Sequence, residues 1–70
     1  MNNYILLEKQ LIYIVNKLIN SKYFKFNNKY IKNISNYSVE IIKDKNILNC
    51  KMYKKSNKNL LFSKKIYENK

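Results

Sequence analysis

The sequence predicts a small all-β domain, a barrel or sandwich, and three observations lead there. The second half of the chain alternates apolar and polar residues, its apolar segments recur at roughly ten-residue spacing, and polar turns separate them. Seventy residues make one domain, 1–70. A chain this short buries only about 60% of its unfolded surface. With one cysteine, Cys50, and no zinc-type cluster, neither a disulfide nor a metal reinforces it, so a partner is expected to.

The first twenty residues support two readings. Tyr4, Leu7, Leu11, Ile14, Val15 and Leu18 share one helical face, whereas "YILL" (4–7) and "LIYIV" (11–15) also read as short buried strands around "EKQ". The β-branched and aromatic content of Tyr4, Ile5, Ile12, Tyr13, Ile14 and Val15 favours strands slightly. On these residues alone an amphipathic helix at about 4–18, giving an α+β fold, is the narrowly better reading.

Residues 20–36 are rich in Lys, Asn and Ser, and Tyr23, Phe24, Phe26, Tyr30, Ile31 and Ile34 interrupt them without a sustained helical period. They read as a long basic loop or a ragged hairpin. "YSVEII" (37–42) alternates as a strand that turns Tyr37, Val39 and Ile41 to a core. "KDKN" (43–46) is a turn, and "ILNCKMY" (47–53) a second strand with Leu48, Cys50 and Met52 as its apolar face. "KKSNKN" (54–59) is a basic turn before a third apolar segment, "LLFSKKIY" (60–67). Glycine is absent, so asparagine is expected wherever the backbone needs a positive φ.

Composition narrows the function. The net charge of +11 comes wholly from lysine, with no arginine or histidine, against Glu8, Glu40, Asp44 and Glu68. At 46% hydrophobic residues the chain is too apolar for a disordered polybasic segment. A folded, strongly basic domain implies an anionic partner, and nucleic acid fits because each neutralised phosphate releases counterions. Catalysis is not expected: there is no histidine, the carboxylates are scattered, and a glycine-rich phosphate loop is impossible. No cofactor, metal or small-molecule substrate is expected either. The lone thiol reads as a small buried hydrophobe in a reducing compartment.

A secretory signal is not expected, because the first residues lack its charged, apolar and small-residue regions. The longest apolar run, 11–15, falls far short of the roughly 18 residues of a membrane span. The dominance of Lys, Asn, Ile and Tyr, with Gly, Pro, Ala, Arg, Thr, His and Trp absent, points to an AT-rich genome. The expected location is an organelle such as a plastid, apicoplast or mitochondrion, or else the cytoplasm of a reduced endosymbiont.

The candidate binding residues are lysines grouped by segment: Lys22, Lys25, Lys29 and Lys32; then Lys51, Lys54, Lys55 and Lys58; then Lys64 and Lys65. A solvated surface normally mixes both signs, and the excess over acids marks these lysines as phosphate contacts. Tyr23, Phe24, Phe26 and Tyr30 are candidates to stack on splayed bases, with at least half expected in the core.

"KYIKNISNYSV" (29–39) resembles K-Y-I-K-R-S-K-K-Y-x-[AV] of the bacterial and organellar small-subunit ribosomal protein family conventionally numbered seventeen. "KQLIYIV" (9–15) is similar to that family's K-T-I-V-V-x-V strand, and "LLFSKKIYE" (60–68) to its last strand, L-V-x-K-I-I-E. "DKNILNCKMYKKSN" (44–57) resembles D-x-V-x-I-x-E-C-R-P-L-S-K-T-K, placing Cys50, Lys51, Lys55 and Ser56 on the C, the R, the second K and the T. It departs at the H-P-x-Y motif, here "YFKF" (23–26), and at R-P, where Met52 replaces the proline. The resemblance implies a five-stranded OB-type barrel, with strands at the N-terminus. It also implies a structural constituent of the small ribosomal subunit that binds ribosomal RNA, touches neighbouring subunit proteins and supports assembly. The alternative is a basic amphipathic protein whose helix 4–18 docks on a membrane or on a partner subunit of another organellar complex.

Overall fold

The computed structural model describes residues 3–68, with side chains from residue 5 onward. Tyr4, expected on the apolar helix face, has its side chain outside the described residues. The chain forms helix α1 (Asn3–Asn20), a single 3-10 turn (Tyr23–Lys25), and strands β1 (Lys29–Ile34), β2 (Tyr37–Asp44), β3 (Ile47–Lys54) and β4 (Leu60–Tyr67). The strands make one antiparallel meander in the order β1-β2-β3-β4.

Most of the chain's regular structure is thus sheet, but it is four-stranded and open rather than a closed five-stranded barrel. The segments "YILL" and "LIYIV" are a single helix. Their β-branched content loses to burial, since a helix is stabilised in a protein chiefly by packing its apolar face. Leu7, Leu11, Val15 and Leu18 recur at helical spacing and are all buried. They meet Val39 and Ile41 of β2 and Leu48, Cys50 and Met52 of β3, with Phe24 closing one end. The helix occupies the space that a closed barrel would fill with its own strands, so β1 and β4 both remain edges.

The helix stops at Lys22, whose left-handed backbone (φ 61, ψ 28) returns its N–H to the carbonyl of Ile19 at 3.1 Å. The Ser21 hydroxyl donates to Leu18 O at 2.9 Å, using another free carbonyl of the last turn. The other positive φ values fall at Ser35, Lys45 and Lys58. Asparagine therefore does not take the glycine positions as expected. In the two-residue hairpin turns, Ser35-Asn36 and Lys45-Asn46, it is the residue before Asn that turns left-handed.

Three of the strands follow the sequence reading. β4 matches residue for residue, β3 gains Lys54, and β2 runs two residues further than expected, which shrinks the 43–46 turn to Lys45-Asn46. Of the two readings of 20–36, a long basic loop or a ragged hairpin, the structure takes the second for residues 29–34, which form β1 and pair with β2 from Lys29↔Ile42 to Ile34↔Tyr37, while the 3-10 turn lies before them. No period announced β1, because it is an edge strand with only Tyr30 and Ile34 half-buried.

Candidate nucleic-acid interface

Side chains alternate across a strand, and residues paired across a ladder share a face. The register therefore sorts the strand residues, apart from the irregularity in the β3–β4 ladder between Met52 and Tyr53. Val39↔Met52, Ile41↔Cys50, Leu48↔Ile66 and Met52↔Phe62 face the helix. The opposite face has no helix over it, and its rows read Lys29↔Ile42↔Asn49↔Lys65, Ile31↔Glu40↔Lys51↔Ser63 and Asn33↔Ser38↔Tyr53↔Leu60. Lys29, Lys51 and Lys65 thus project from one open surface, and all three are exposed.

Lys54, the last residue of β3, and Lys55 and Lys58 of the β3–β4 loop border one end of that surface. Lys55 N–H donates to Asn36 O at 2.8 Å, tying this loop to the β1–β2 turn, and Lys58 N–H closes on Lys54 O at 2.7 Å. Lys54, Lys55 and Lys58 are exposed and border a depression on the open face whose floor includes Ile31 and Tyr53.

The remaining sequence candidates are dispersed. Lys22 and Lys25 lie at the opposite end of the sheet, beside the 3-10 turn, where Lys25 and Lys29 flank exposed Phe26. Lys32 is on β1 but faces the helix side, next to Tyr13 and Ile14. Lys64 also faces the helix and donates to Glu8 Oε2 of α1 at 2.7 Å, clamping the helix to β4. The sequence could not separate Lys64 from Lys65, because only the covering helix makes one neighbour structural and leaves the other free.

The carboxylates weaken the basic field at few places. Lys43 pairs with Glu68 at 3.5 Å and reaches the Phe24 carbonyl, fastening the 3-10 turn to the sheet end. Glu40 lies on the open face, where Lys29 is 3.5 Å from Oε2 and the Tyr53 hydroxyl donates to Oε1 at 2.8 Å. That hydrogen bond, together with Glu40's negative charge, pushes the Tyr53 hydroxyl above its ordinary range. Among the described residues, Lys51, Lys54, Lys55, Lys58 and Lys65 make no ion pair. The sequence singled out neither Tyr53 nor Glu40, although Glu40, the one charged residue of "YSVEII" (37–42), was the available signal.

Of the four aromatics proposed to stack on bases, three pack. Phe24 is buried, and Tyr23 meets both Phe24 (5.1 Å) and Tyr30 (5.5 Å) edge-on. Tyr23 also donates to Lys29 O at 2.7 Å, whereas Phe26 is 83% exposed. Cys50 lies in the core, and burial pushes its thiol up to about 11 against a smaller opposing effect of Lys64, so it is no nucleophile. No described helix is long and apolar enough to cross a membrane. Compared with known protein families, curated proteins and solved structures, the chain shows no match.

Proposed function

We propose that the protein binds RNA through the open face of its sheet, as a structural constituent of a ribonucleoprotein particle. The observation that carries this is the convergence of Lys29, Lys51, Lys65, Lys54, Lys55 and Lys58 on one uncovered surface and its end. Lysine binds phosphate as a point charge, without the planar fork of arginine. Affinity then comes from counterion release over many weak contacts, and specificity mainly from RNA shape. The proposal assigns no catalytic step.

The sequence resemblance supplies the particle, the small ribosomal subunit of an organelle or a reduced endosymbiont. The described residues lack the fifth strand and the closure of the OB-type barrel, so the RNA reading rests on charge placement. The test is sedimentation and crosslinking of the tagged protein from its native source. Co-migration with the small subunit, with RNA crosslinks at Lys51, Lys65 and the 54–58 loop, is the expected result. RNA-free migration with membranes would overturn it.

One observation favours a second reading, docking of the helix on a partner subunit or a membrane surface. Ile5 (56% exposed), Ile12 (37%) and Ile19 (38%) recur every seventh residue along the flank of α1 that the sheet leaves bare. Within a ribosomal subunit the same stripe would meet a neighbouring protein.

A further inference from the structure

The depression on the open face measures about 400 Å³, like others on this molecule, and its lining is what sets it apart. Its lining combines the apolar surfaces of Ile31 and Tyr53, a single carboxylate from Glu40, and lysines at the rim. A site built only for phosphate would exclude the carboxylate and would have no use for an apolar floor.

The geometry explains how Tyr53 and Glu40 act together. Tyr53 pairs with Ser38, two residues along β2 from Glu40, and its hydroxyl reaches the Glu40 carboxylate diagonally. A ring lying along the sheet to make that reach would turn one aromatic face outward as a stacking platform. Glu40 Oε1 accepts from Tyr53 and Oε2 faces Lys29. A carboxylate has about four acceptor positions, so each oxygen keeps one for a ligand.

Two acceptors side by side suit a partner with two parallel N–H donors. Among the RNA bases only guanine offers that edge, with N1–H beside the N2 amino group. Uracil sets its N3–H between two carbonyls that a carboxylate repels. Adenine and cytosine each place a ring-nitrogen acceptor beside their amine.

We propose that this depression holds one splayed guanine of single-stranded RNA. The base stacks on Tyr53, its N1–H and N2 amino group donate to Glu40, and Lys55 and Lys58 take the flanking phosphates. This inference rests on the RNA-binding reading and assigns it a base.

The test uses the full chain and labelled RNA hexamers, read by fluorescence anisotropy at several salt concentrations. A uridine hexamer with one central guanine should bind about tenfold or more tighter than all-uridine, the discrimination typical of a bidentate base contact. Replacing that guanine by inosine, which lacks the N2 amine, should remove several-fold of the gain with the protein unaltered. Glu40→Gln should erase the preference. Equal binding of all hexamers with a steep salt slope would overturn the guanine site and leave the RNA reading standing. Failure of every hexamer to bind at low salt would overturn both.

Discussion

The sharpest prediction separates lysines that the sequence presents as equivalent. Six lysines reach the open face or its rim: Lys29, Lys51, Lys54, Lys55, Lys58 and Lys65. If each neutralises one phosphate of single-stranded RNA, at about 0.7 per contact, log Kd rises with log salt at a slope of about 4. Affinity then falls about 300-fold between roughly 50 and 200 mM salt. Replacing Lys54, Lys55 and Lys58 together by glutamine should halve the slope to about 2 and shrink that loss to about 20-fold. Lys64→Gln is the matched control, because Lys64 faces the helix with Glu8 at 2.7 Å. It should leave the slope unchanged and cost at most about 1 kcal/mol of stability, the worth of a partly exposed ion pair. Anisotropy titrations across a salt series give all three slopes. A triple variant with the original slope, or a Lys64 variant that loses as much as a rim variant, would refute the assignment of the open face.

Three further outcomes follow from the core. Leu11 is fully buried between helix and sheet, so Leu11→Ala should cost about 3–5 kcal/mol in urea denaturation, against a total of about 4–10 kcal/mol for a domain this size. A loss below about 1 kcal/mol would mean that the helix does not pack there. Phe24→Ala should be similarly severe while Phe26→Ala stays within about 0.5 kcal/mol, because the first ring is buried and the second is 83% exposed. The Cys50 thiol rises from 9.0 to about 11 on folding. Its contribution is therefore complete below pH 9 and fades as pH rises through 11, since the unfolded chain loses this proton first. By pH 11 the wild type should have lost about 2 kcal/mol more stability than Cys50→Ala loses over the same range, and parallel curves would show that the thiol is not buried in solution.

The strands after residue 36 were legible because their signal is local. Alternation in "YSVEII" and "ILNCKMY" marks the inward residues whatever the rest of the chain does, and Val39, Ile41, Leu48, Cys50 and Met52 are all buried as that alternation requires. The left-handed positions were not legible. Asparagine is the better local candidate, yet hairpin register placed Ser35 and Lys45 there, one residue earlier.

By itself the sequence determined the charge, the absence of histidine and arginine, and the inward faces of β2 and β3. The tertiary structure decided the rest. Residues 4–18 carry a helical stripe on strand-forming residues, and only an apolar sheet face ready to receive Leu7, Leu11, Val15 and Leu18 made the helix the lower-energy choice. The same packing decided which lysines are free. A lysine's face is set by strand register, and its availability by which face the helix covers, and both depend on pairings between residues far apart in the chain.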